Sequence, residues 1–175
     1  MTSTTDPPQT PQALDGAVEN AWRIHGALVD WTGKVDSKAA FALSIESVAL
    51  AGAVALAKGR EVLNISEPLP SWPLWLGGVL LAVAALLSMG VVLPRMKALR
   101  ANQDWPSNFI YFGHLRHWSP ERLAEALRTT DPLPALSRQL VVMSQVAWRK
   151  HRLVQLSFGA AAAGITILAA ALVGR

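Results

Sequence analysis

The sequence predicts an all-α, multi-pass membrane protein with three transmembrane helices and a small helical cytosolic segment. Three observations carry that prediction. First, the runs 39–57, 72–93 and 153–173 each approach the roughly 20 apolar residues a helix needs to cross a bilayer. Second, Glu46 is the only Asp, Glu, Lys or Arg inside them. Third, ten of the sixteen lysines and arginines fall between Pro94 and Arg152. Apolar residues make up 51% of the chain but gather in uninterrupted runs, where a soluble domain would break them into stripes.

Residues 1–9 (MTSTTDPPQ) have the composition of a disordered tail. Thr10 and Pro11 then read as N-cap and first helical position. They open an amphipathic cytosolic helix over 10–35, with Leu14, Val18, Ala21, Ile24, Leu28 and Trp31 on one face. Gly33 permits either a bend or continuity into the first span, 39–57, which reaches about 28 Å at 1.5 Å per residue. The connector that follows holds two prolines and balanced charge. The second span, 72–93, opens at Trp72-Pro73-Leu74-Trp75, with proline in the first turn and two tryptophans at interface depth.

Residues 94–152 form the basic cytosolic segment. Residues 95–102 are expected to extend the second span briefly, and 104–108 to form a loop. Phe109 to Leu115 is aromatic and short, a buried strand-like stretch or one helical turn. Ser119-Pro120-Glu121 starts a helix to about Thr129, with serine capping and an acid in the first turn. Asp131-Pro132 starts another, with Leu133, Leu136, Leu140, Met143 and Ala147 on one side, flowing into the third span, 153–173. No internal repeat is visible.

Topology follows from lysine and arginine counts alone. The 58–71 connector has two, Lys58 and Arg60, against ten in the 94–152 segment. The latter is therefore expected in the cytoplasm, with the N-terminus inside and the C-terminus outside. No basic region leads into a short apolar core near Met1, so the first span is expected to act as its own insertion signal into the inner membrane. The isoelectric point near 10.0 fits this asymmetry, and no groove-reading motif points to a nucleic-acid polymer. No cysteine is present, which excludes disulfides and thiolate chemistry.

Glu46 sits near the middle of the first span, where an ionised side chain costs on the order of 3 kcal/mol. It reads either as a polar contact in an oligomeric pore or switch, or as a protonated or hydrogen-bonded group facing Ser44, Ser88 or Ser157. The third span carries Gly159 with Ala163 and Ala160 with Gly164, the first Ala49 with Ala53 and Ala51 with Ala55. This small-xxx-small spacing allows close helix approach, within one bundle or between copies in a homo-oligomer. His25, His114, His117 and His151 lack companions at metal-ligand spacing, so no metal is expected. No catalytic triad, phosphate loop or carboxylate pair can be assembled, so no enzymatic activity is expected. Tyr111, Arg116, Trp118 and Arg122 interleave guanidinium groups with rings. That combination suits a small anionic nucleotide, and equally a face solvated beside anionic lipid headgroups.

The order of these parts resembles the membrane-spanning effectors of bacterial Pycsar antiphage systems. An amphipathic helix leads through Asp36-Ser37-Lys38-Ala39 into the first span, with Trp31 before it and Ala40-Phe41 after. The aromatic stretch Ile110-Tyr111-Phe112-Gly113 precedes a serine-headed helix, Ser119-Pro120-Glu121-Arg122. A basic-aromatic run from Ser144 to Arg152 then enters the last span. Val35 stands where the family often has alanine. The resemblance implies an effector that senses cyclic CMP or cyclic UMP, with no other cofactor, and impairs the host inner membrane in abortive infection. Asp36 and Lys38 are expected at the same membrane face as Arg149, Lys150 and Arg152, either latching a closed form or anchoring helix ends by snorkelling. The rival readings are a non-enzymatic membrane anchor or small subunit recruiting a soluble partner, and a transporter or channel, for which Glu46 alone is a thin polar lining.

Overall fold

A computed structural model describes residues 11–62, 71–93 and 109–173. Every regular element among the described residues is a helix: α1 Pro11–Val62, α2 Ser71–Val92, α3 Phe112–Leu115, α4 Pro120–Thr129 and α5 Leu133–Val173. Three of these are long and apolar enough to cross a membrane, through Leu14–Ala55, Trp72–Val92 and Leu133–Ala171. The expected tail, the Thr10 cap, the extension at 95–102 and the loop at 104–108 lie outside the described residues. The described residues form two compact units, one of 11–31 with 109–146 and one of 32–62, 71–93 and 147–173.

The second unit packs three helical segments through matched seams. Inward positions on α1 are Val35, Ala39, Ala42, Glu46, Ala49 and Ala53. On α2 they are Leu74, Gly77, Leu81, Ala84, Ser88 and Val91, and on α5 Lys150, Val154, Ser157, Ala161, Gly164 and Leu168. Each series alternates steps of three and four residues, the 3.5-residue repeat by which helices keep one seam facing their partners. Val35, Ala39, Val91 and Val154 form one apolar cluster. Ala53, Leu81, Ala84, Ala161 and Leu168 form a second. The order of these residues makes α1 and α5 parallel and α2 antiparallel to both. Small residues on the seams allow close approach, which replaces hydrophobicity as the source of specificity inside lipid.

Gly77 and Gly164 mark a close crossing of α2 and α5. A Cβ added at Gly164 would lie 3.0 Å from the Gly77 carbonyl oxygen and 3.2 Å from the Leu80 Cβ. Of the two small-residue pairs on α5, Ala160–Gly164 is thus turned toward α2 within the same chain, whereas Gly159 and Ala163 are exposed. Trp72 and Trp75 are exposed at one end of the bundle and Trp148 at the other, the distribution expected of rings at two membrane–water interfaces.

In the first unit, Phe109 to Leu115 resolves into the single turn α3, not a strand. The Phe109 ring meets Trp118 edge-on at 6.3 Å, and Tyr111 meets His114 likewise at 5.2 Å. α4 starts as its sequence dictates: Pro120 occupies the first turn, and the Ser119 hydroxyl accepts from the Arg122 backbone N–H. It ends where Thr130 turns extended (φ −105°, ψ 131°). Asp131 then accepts from the Leu133 N–H at 2.9 Å and leads into α5.

One expectation fails on α1. Ala21 and Leu28 are buried, but Ile24 and Trp31, placed on the same face by 3.6-residue periodicity, are more than half exposed. The buried series follows the 3.5-residue repeat of the rest of the helix, which carries Ile24 and Trp31 off the seam.

Candidate functional site

Midway along the seams, each helix of the second unit contributes one polar side chain to a single buried layer. Glu46, Ser88 and Ser157 are all 1% exposed or less. Ser88 Oγ donates to Glu46 Oε1 at 3.3 Å, Ser157 Oγ also donates to Oε1, and the two hydroxyls lie 2.7 Å apart. The layer lies between the two apolar clusters, so it is held away from water at both ends. Ser44, expected as a partner of Glu46, is instead exposed and donates to its own helix at the Ala40 carbonyl. It lies off the seam, two residues from Glu46, where an α-helix has turned too far for the side chains to meet.

Glu46 Oε2 is buried and has no hydrogen-bond partner among the described residues. An unmet acceptor in a low-dielectric interior costs about 1–3 kcal/mol. The layer is therefore a point of both attachment and tension. Glu46→Ala is expected to destabilise the bundle by about 2–3 kcal/mol, through two lost interhelical hydrogen bonds and a cavity. Glu46→Gln, which keeps an acceptor oxygen, should stay within about 1 kcal/mol of wild type. Thermal denaturation in detergent micelles checks both; an Ala variant as stable as wild type would show that the layer holds nothing together.

At the end of the bundle beside the Val35–Ala39–Val91–Val154 cluster, Lys150 Nζ donates to both Asp36 oxygens, at 2.6 and 2.8 Å. The Lys150 side chain is 22% exposed and that of Asp36 38%, so solvent screens the pair in part. Of the five residues expected to cluster at this membrane face, the structure joins these two. Lys38, Arg149 and Arg152 point outward and form no ion pair among the described residues.

The four residues suited to a nucleotide flank α3 and reach the first turn of α4: Tyr111 caps the start of α3, Arg116 and Trp118 follow it, and Arg122 lies on α4. Tyr111 and Trp118 are half-buried with their rings engaged as described above, while Arg116 and Arg122 are exposed. Arg116 Nε donates to His117 Nε2 at 3.1 Å. His114 is buried and His117 exposed, and among the described residues no group of three or more His, Cys, Asp or Glu is placed to hold a metal. A shallow recess lined by Ser44, Ile45, Val48 and Ala49 on α1 is apolar and offers nothing to an anion.

Span-length helices joined through a buried polar layer, with an arginine-bearing segment between the second and third, define a multi-span helical membrane protein. The chain belongs to the PycTM family, the Pycsar effector protein domain, which it matches over residues 20–175. Membership implies the role of an antiphage effector. No curated protein and no solved structure matches the chain.

Proposed function

We propose that this effector senses cyclic CMP or cyclic UMP through the basic segment and impairs the host inner membrane, stopping the infected cell before phage release. The observation that carries the reading is helix continuity: α1 runs unbroken from its amphipathic start, and α5 from basic sequence, into a membrane-length stretch. A ligand that favours one arrangement of α3, α4 and the start of α5 therefore acts on a helix that also carries Lys150 and Ser157. It shifts the equilibrium only by its difference in affinity for the two arrangements. Asp36–Lys150 serves as the latch of the resting form. The unmet Glu46 Oε2 lowers the cost of leaving that form. The charge asymmetry supports a cytoplasmic basic segment and N-terminus. The exposed small-residue face of α5 suits assembly of several copies once the latch opens.

Arg116 and Arg122 supply the exposed cations for the nucleotide phosphate, with Tyr111 and Trp118 beside them for the base. Titration of the detergent-solubilised protein with both nucleotides is expected to give saturable binding of one of them. Arg116→Gln with Arg122→Gln should weaken it at least tenfold, since a charge-assisted hydrogen bond contributes about 1.5–3 kcal/mol. A folded protein that binds neither nucleotide would refute the sensing role. The anchor reading predicts instead that a soluble protein co-purifies without any nucleotide.

A further inference from the structure

We infer that the exposed arginines of α5 form a docking site for an anionic phospholipid, separate from the latch. Lys150 is turned inward to Asp36, while Arg149 and Arg152 on either side of it are exposed and unpaired among the described residues. Three residues apart on a helix, they are neighbours on one face, close enough for both guanidinium groups to reach one phosphodiester. Trp148, 68% exposed, is four residues from Arg152 and completes a basic-aromatic head at the depth where membrane tryptophans settle.

The same face continues toward the far end of α5 through Leu156, Gly159 and Ala163, all exposed. Nothing lies within 4 Å of a Cβ built at Gly159, so the surface below the arginines is open and low in relief. A headgroup held by Arg149 and Arg152 would lay an acyl chain along it. Charge complementarity selects the occupant: two exposed cations, unpaired among the described residues, where α5 enters its apolar run match a lipid phosphate carrying net negative charge, and a zwitterionic headgroup brings its own ammonium to the same place. The inference rests on the chain spanning a membrane, and holds whether or not the protein senses a nucleotide.

The test is native mass spectrometry of the full chain released from micelles carrying phosphatidylglycerol or phosphatidylcholine. Retention of phosphatidylglycerol over phosphatidylcholine is expected, and Arg149→Gln with Arg152→Gln should weaken it roughly thirtyfold, as befits two basic groups near an anionic surface. Lys58→Gln, at the other end of the first span, should leave retention unchanged and shows that general charge loss is not the cause. Equal retention of the two lipids, or wild-type retention by the double variant, would overturn the site. Displacement of the lipid by an equal concentration of inorganic phosphate would also overturn it, because the surface would then be a plain anion site. A thermal melt of the double variant in pure detergent, matching wild type, confirms that it is folded when its retention is read.

Discussion

Gly164→Leu is expected to lower the unfolding free energy of the protein by about 3 kcal/mol, the upper range for overpacking a well-packed contact. The reason is the identity of the obstructing atom. A Cβ at this position would meet the carbonyl oxygen of Gly77 at 3.0 Å, and backbone within a helix cannot swing aside as a side chain can. Leu80 and Leu81, each with an atom 3.2 Å away, close the remaining directions. α2 and α5 must therefore separate, which loosens the cluster of Ala53, Leu81, Ala84, Ala161 and Leu168 on that side of the polar layer. Gly159→Leu is the matched control, five residues earlier on the same helix with nothing within 4 Å; its change should stay within about 0.5 kcal/mol. Thermal denaturation of both variants in one detergent makes the comparison. Equal losses would show that the α2–α5 crossing does not depend on Gly164.

Reversing one charge of the proposed latch is expected to make the protein toxic in cells that contain neither cyclic CMP nor cyclic UMP. Asp36→Lys removes an attraction worth about 1 kcal/mol in a partly exposed setting. It also sets a new cation against Lys150, for a combined effect of about 2 kcal/mol against the resting form. A two-state protein then populates its open form roughly thirtyfold more often. Lys150→Asp should act in the same direction. The double variant Asp36→Lys/Lys150→Asp restores the pair with its ends exchanged and should return growth to that of wild type. Growth curves of cells expressing each variant give the readout. Silent single variants would make the pair a helix-end anchor, and toxic singles without rescue in the double would place the effect elsewhere.

What the sequence made legible follows from where lipid and water differ. The spans were plain because uninterrupted apolar runs have no soluble explanation, and the α4 start because Ser119-Pro120-Glu121 encodes a capped helix locally. Glu46 stood out as a lone charge in apolar surroundings, and two of its three candidate partners, Ser88 and Ser157, are the ones the structure brings to it. The faces of the spans were far less legible. Inside lipid the buried and exposed sides of a helix are equally apolar, so hydropathy does not separate them; size does, and alanine is everywhere in α1 and α5. The partner of Gly164 was missed for that reason, although Gly77 carried the same signal of a residue small enough for backbone contact. Reading α1 at 3.6 residues per turn likewise misplaced Ile24 and Trp31, because only knowledge of a packed seam justifies the 3.5-residue repeat. Among the cations near Asp36, spacing alone did not distinguish Lys150 from Arg149 or Arg152; rotation of α5 about its seam decides which one faces inward.

Nucleotide-dependent leakage tests the central claim most directly. The full chain, reconstituted in liposomes loaded with a self-quenched dye, should hold the dye when alone and release it when cyclic CMP or cyclic UMP is added. The Arg116→Gln/Arg122→Gln variant should stay tight under both conditions. Release that is the same with and without nucleotide, or absent in both cases from correctly inserted protein, would contradict the account.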